Sequence, residues 1–112
     1  MNESPINTIN VHELKKRCET DPDLCLIDVR EIDEWQEVHI PGALHIPKDQ
    51  LAEKIKSLIP RDKAVYLHCR GGVRSLFAAQ CLIEMGYQEV YSIDGGIAEW
   101  EICGYPVEKN QD

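Results

Sequence analysis

The chain has 112 residues, 43% hydrophobic and 29% charged, with a formal net charge of -8 at pH 7. This length suits one domain over residues 1–112 and is too short for two, and the composition excludes a disordered or collagen-like chain. The acidic excess argues against nucleic acid as a partner, because the one basic run, Lys15-Lys16-Arg17, displaces few phosphate counterions. Met1–Pro5 lacks the basic and apolar regions of a leader, and no apolar run approaches a membrane span, so no membrane partner and a cytoplasmic location are expected. The five cysteines show no paired spacing. Cys18, Cys25 and Cys81 stand among apolar neighbours and read as buried free thiols, which fits a reducing compartment. With no Cys-x-x-Cys pair and scattered histidines, neither a metal nor a cofactor is expected.

In chain order, Ile6 to Ile9 suits a short edge strand. Asn10 is a predicted N-cap with Glu13 three residues on, as in a capping box, and the helix it opens runs to about Cys18 and stops before Asp21-Pro22. Leu24-Cys25-Leu26-Ile27 is a continuous apolar run, the mark of a strand buried on both faces of a parallel sheet. Asp28-Val29-Arg30 closes that strand at the end where open α/β sheets place their crevices. Glu31 to Val38 reads as a short acidic helix with Trp35 and Val38 facing inward. Pro41-Gly42 then turns into a short strand that ends before Pro47. Asp49 to Leu58 has helical spacing, and Ala64 to His68 is a central strand.

From Arg74 to Met85, apolar and small residues wrap most of a helix and leave Gln80 and Glu84 as a narrow polar stripe, so this helix is expected to be largely buried, with Gly86 as its C-cap. Val90 to Ile93 is the last strand. Asp94-Gly95-Gly96 turns into a short helix holding Ile97 and Trp100, Gly104 to Val107 ends the fold, and Glu108 to Asp112 reads as a frayed polar tail. Strands alternating with helices predict a three-layer α/β/α fold around a mostly parallel sheet.

The stretch from Val65 to Ala79 organises the rest. An apolar strand ends in Cys69, a glycine-rich basic turn follows, and a helix begins. Gly71 and Gly72 let successive backbone amides curl inward, and such a concavity at a helix N-terminus is an anion site. Inward amides, the helix dipole and the guanidinium groups of Arg70 and Arg74 should hold Cys69 as a thiolate, a nucleophile that needs no separate base.

Three separated segments resemble one family. Asp28-Val29-Arg30 with Glu34-Trp35 and His39-Ile40-Pro41-Gly42-Ala43, then Cys69-Arg70-Gly71-Gly72-Val73-Arg74-Ser75, then Asp94-Gly95-Gly96 with Trp100 and Gly104-Tyr105-Pro106, closely resemble the rhodanese homology domain over residues 6–107. The resemblance implies the single-domain form, with a parallel sheet of about five strands between helices, and a thiosulfate sulfurtransferase that carries a persulfide on Cys69. Val38 departs from the glycine common at its position, away from any evident chemistry.

As the resemblance implies, Cys69 thiolate takes the outer sulfur of thiosulfate, sulfite departs, and a thiol or cyanide then accepts the sulfur; a protein sulfur acceptor is a further partner of this kind. Mercaptopyruvate, glutathione persulfide and protein persulfides are alternative donors. The substrate-binding set is Arg70, Gly71, Gly72, Val73, Arg74 and Ser75, with the loop amides as a preorganised donor set and the two arginines as anion clamps. Ser75 serves the loop, the sulfur or a helix cap. His68 braces the loop, Asp28 and Arg30 hold the strand end, Trp35 and Trp100 are packing anchors, and His39 and His45 are satisfied loop histidines. Cys103 reads as a helix-end thiol, with resolution of the persulfide as the competing role.

A phosphatase or arsenate reductase needs Cys-x5-Arg to cradle a tetrahedral oxyanion, whereas Cys69 to Arg74 is Cys-x4-Arg, a smaller ring suited to sulfur. A persulfide carrier or protein-interaction module is the alternative outside enzymes.

Overall fold

The structure, a computed structural model, describes residues 6–109. Its elements run β1 (Asn7–Ile9), α1 (Val11–Thr20), β2 (Cys25–Asp28), α2 (Ile32–Glu37), β3 (Val38–His39), β4 (Leu44–His45), α3 (Lys48–Leu58), β5 (Val65–His68), α4 (Val73–Glu84), β6 (Val90–Ile93), α5 (Gly96–Ile102) and β7 (Glu108–Lys109). Five strands form one sheet in the order β1-β6-β5-β2-β4, and every pairing in it is parallel.

The apolar runs explain the centre of this sheet. All four residues of β2 and of β5 are buried, because helices cover both faces. Successive side chains alternate between those faces. Leu26 and Tyr66 join Val11, Leu14, Ile97 and Trp100 under α1 and α5, while Ile27 and Leu67 join Leu51, Ile55, Ala79 and Leu82 under α3 and α4. Full burial of each such aliphatic side chain contributes roughly 1.5–3 kcal/mol. The expected three-layer α/β/α architecture with five parallel strands is the observed one.

Local signals account for the helix ends. Asn10 caps α1 by accepting from the Glu13 amide at 2.9 Å, although the Glu13 carboxylate turns to Arg17 and leaves the box half made. Gly86, at φ +96°, follows α4 and lets the Tyr87 amide donate to the Leu82 carbonyl.

Four expectations need correction. Helix α2 ends at Glu37, and Val38 belongs to β3. The polar segment from Glu108 is not frayed where it is described: Glu108 and Lys109 form β7, antiparallel to β3, and the Glu108 carboxylate lies 2.9 Å from His39 Nε2. Residues 110–112, like Met1–Pro5, lie outside the described residues. Helix α4 buries only Ser75, Ala78, Ala79 and Leu82, whereas Val73 and Phe77 are 66% and 68% exposed. Its apolar residues encircle the axis, and the sheet and α3 cover one side only. Finally, Cys25 is buried but Cys18 and Cys81 are half-buried. Burial still pushes the Cys18 and Cys25 thiols up, which keeps both protonated at neutral pH.

Among the described residues, no helix is long and apolar enough to cross a membrane. Leu67→Ala, which empties a fully buried site on the central strand, should lower unfolding free energy by about 2–5 kcal/mol in urea titration. Phe77→Ala on the uncovered side of α4 should change it by less than about 0.5 kcal/mol.

Candidate active site

Parallel pairing brings the carboxyl ends of β2, β5 and β6 to one edge, with Asp28 in register with His68. Immediately after His68 the chain turns through Cys69 to Gly72 and enters α4. Gly72 caps that helix at φ +112°, a left-handed conformation that a side chain would strain. The turn closes on the sulfur: Cys69 Sγ accepts from the Gly72 amide at 3.1 Å and from the Ser75 amide at 3.4 Å, and only 1% of the residue is exposed.

The start of the turn is anchored through its carbonyls. The Cys69 carbonyl accepts from the Ile97 amide at 2.9 Å and the Arg70 carbonyl from the Ala98 amide at 3.0 Å, so the first turn of α5 receives both. Such close approach requires glycine. Gly96 sits at φ +54°, and a Cβ there would fall 2.5 Å from the Arg70 oxygen and closer still to that of Cys69.

A second ring of polar groups fixes the loop from below. Ser75 Oγ lies 3.6 Å from Cys69 Sγ, 3.1 Å from the Gly72 carbonyl and 2.7 Å from Ser92 Oγ. With its single proton on the carbonyl, Ser75 accepts from Ser92, and both hydroxyls are buried. His68 is fully buried, with Nδ1 3.3 Å from the Cys69 carbonyl. Burial pushes its pKa down, so the ring is neutral. The buried Asp28 carboxylate accepts from Arg30 Nε and Nη2, the latter at 2.7 Å, and Arg30 donates onward to the Val38 carbonyl at 2.7 Å.

The two loop arginines differ. Both terminal nitrogens of Arg74 hold the Glu34 carboxylate, at 2.7 and 3.0 Å, tying α4 to α2. The Arg74 guanidinium keeps the Glu34 carboxyl at about 2, and Glu34 in turn raises Arg74. Arg70 is exposed, makes no ion pair among the described residues, and borders a groove of about 400 Å³ between α2 and α5. Gly71 faces open space, and Val73 is exposed at the start of α4.

The remaining candidates stand away from the sulfur. Trp100 Nε1 donates to the Pro106 carbonyl at 2.7 Å, Trp35 stacks on His39 and His45, and His45 Nε2 bonds the Arg30 carbonyl. Cys103 packs with the α1 and α5 cluster, 3.9 Å from His12 Nε2, whereas Cys69 belongs to the cluster on the other face. Sequence reasoning assigned no role to Glu34, Ser92 or Gly96. Two signals were available, a lone serine inside the apolar strand Val90–Ile93 and a second glycine beside Gly95.

The Rhodanese-like domain family matches residues 10–103. YrkF of Bacillus subtilis, named for a candidate sulfur-carrier role, is 33% identical over 88% of this chain, and the chain spans only 53% of its length. A sulfurtransferase of Allochromatium vinosum is 34% identical over 91% of this chain and 94% of its own. The thiosulfate sulfurtransferase GlpE of Coxiella burnetii is 38% identical over 70% of this chain and 73% of its own. Among solved structures, a rhodanese-related protein of Thermoplasma volcanium superposes with TM-score 0.79 and 34% identity, covering 91% of this chain and 97% of that one.

The Glu34 carboxyl titrates below its ordinary value of 4.5 in the folded chain, so its pairing stabilises fully above about pH 4.5 and fades as pH falls toward 2. Both partners are about one-third exposed, which limits the pair to under about 1 kcal/mol. Glu34→Gln should therefore lower the urea midpoint at pH 7, with the difference from the parent chain shrinking toward zero by pH 2.

Proposed function

Because the chain belongs to the rhodanese-like domain family of sulfurtransferases, we propose that it moves a sulfane sulfur from thiosulfate to a thiol or cyanide through a persulfide on Cys69. The observation that carries this reading is a buried sulfur held by two backbone amides, Gly72 and Ser75. Amide donors favour a thiolate over a thiol. No general base is required, which agrees with a neutral His68 whose ring reaches the Cys69 carbonyl and not its sulfur.

In the first half-reaction the Cys69 thiolate attacks the outer sulfur of thiosulfate. The bond between the two thiosulfate sulfurs breaks, and sulfite leaves with the electron pair. In the second, an acceptor thiolate or cyanide attacks the outer sulfur of the persulfide and Cys69 leaves as thiolate. Arg70, exposed at the loop, takes sulfonate oxygens of the donor. Arg74, with its fork on Glu34, acts through its field and by fixing the loop to α2. Gly71 and Val73 complete the turn. We assign the whole chain to one domain, and its five free cysteines fit a reducing, cytoplasmic setting.

One observation favours a second reading. Val73, Leu76 and Phe77 are exposed on α4 beside the loop, an apolar face suited to a protein partner, as in a persulfide carrier. Comparing sulfur loading from thiosulfate with loading from a persulfidated donor protein separates the two: a carrier loads faster from the protein, and Phe77→Ser slows that route alone.

Intact mass spectrometry after thiosulfate treatment should show one added sulfur that cyanide removes and that Cys69→Ala never acquires. Absence of the added sulfur on the parent chain overturns the persulfide mechanism. Gly96→Ala should slow loading by about 100-fold or more, the scale of losing one preorganised donor. Arg70→Gln should raise KM for thiosulfate by about tenfold, as expected for a lost charge-assisted hydrogen bond.

A further inference from the structure

The groove beside Arg70 has two adjoining lobes of about 400 Å³ each, which share Glu37, Val38, Arg70 and Glu101. That is the size at which proteins hold small molecules, roughly 300–1,000 Å³. It abuts the sulfur loop directly, since Ile97 and Ala98 on its wall are the residues whose amides hold the Cys69 and Arg70 carbonyls.

The charges on this groove are sorted by what already engages them. Arg30 is bound to Asp28, and Glu34 to Arg74. Four charged side chains are left: Glu37 and Glu101, which are negative, and Arg70 and Lys109, which are positive, and none of them makes an ion pair among the described residues. A ligand of one sign meets two repelling groups for every two that attract it. A ligand carrying both signs satisfies all four, and Val38, Ile97 and Ile102 offer apolar surface for its carbon skeleton.

We propose that this groove seats a small zwitterionic thiol, an amino acid bearing a sulfhydryl, as the sulfur acceptor. The assignment rests on the Cys69 persulfide of the preceding section. Glu37 and Glu101 receive the ammonium group, and Arg70 and Lys109 the carboxylate. The acceptor thiolate then forms a bond to the outer sulfur of the persulfide while the bond from that sulfur to Cys69 Sγ breaks. Its electron pair returns to Cys69 as thiolate, any proton on the outer sulfur stays there, and the product is the persulfide of the acceptor. No outside oxidant or reductant enters.

The test begins with Cys69 loaded with sulfur and the loading verified by intact mass, so a failure of the persulfide reading shows before any acceptor is added. Unloading is then timed with cysteine, cysteamine, 3-mercaptopropionate and 2-mercaptoethanol, which carry both charges, the ammonium only, the carboxylate only and neither, with rates expressed per thiolate. Cysteine should exceed each singly charged thiol by about threefold and the neutral one by about tenfold, the scale of solvent-exposed charge pairing. In Glu37→Gln/Glu101→Gln the ratio of cysteine to 3-mercaptopropionate should collapse toward one. In Lys109→Gln the ratio of cysteine to cysteamine should shrink. Rates that follow thiolate basicity alone, or ratios that none of these substitutions moves, overturn the proposal.

Discussion

Two backbone carbonyls anchor the loop that carries the sulfur site. Backbone carbonyls buried beside a sulfur need donors of their own, or the loop that carries them will not hold its shape. Here the first turn of α5 supplies them, with the Ile97 and Ala98 amides on the Cys69 and Arg70 oxygens. Those two amides are among the groups that a helix start leaves without an internal partner. One contact thus resolves two deficits, and it exists only because Gly96 carries no side chain between the two segments.

The parts of the fold that rest on local pattern were legible in the chain. Leu24 to Ile27 and Ala64 to His68 read as buried strands because helices on both faces leave no polar side to mark. The loop at Cys69 read as an anion cradle because glycines beside a cysteine and a helix start have few other uses. What escaped depends on distant pairing. Arg74 was expected to face an anion, yet its partner Glu34 lies forty positions earlier and is reached only once α2 and α4 are docked. Glu108 and Lys109 offered no apolar alternation because backbone pairing with Val38 and His39 holds them. The exposure of Val73 and Phe77 was hidden for the opposite reason: an all-apolar helix does not announce which side its neighbours will cover.

Electrostatics in this protein is local and not global. The surface is acidic overall, and a dianion gains nothing from it at long range, because charges beyond about 8–10 Å are screened at ordinary ionic strength. Discrimination falls to groups within contact distance of the loop. Buried there are paired charges, Asp28 with Arg30, which fix the strand end to Val38, and a neutral imidazole. The charges without an ion pair among the described residues stand outside, on the walls of the groove.

The near-complete enclosure of Cys69 bears on how the protein survives in an oxidising moment. A thiolate is the species most prone to peroxide damage, and overoxidation adds oxygen atoms that need room around the sulfur. With amides on two sides and Ser75 on a third, little room is left around this sulfur for the added oxygens of a sulfinate. Steric confinement therefore shields this sulfur by shape.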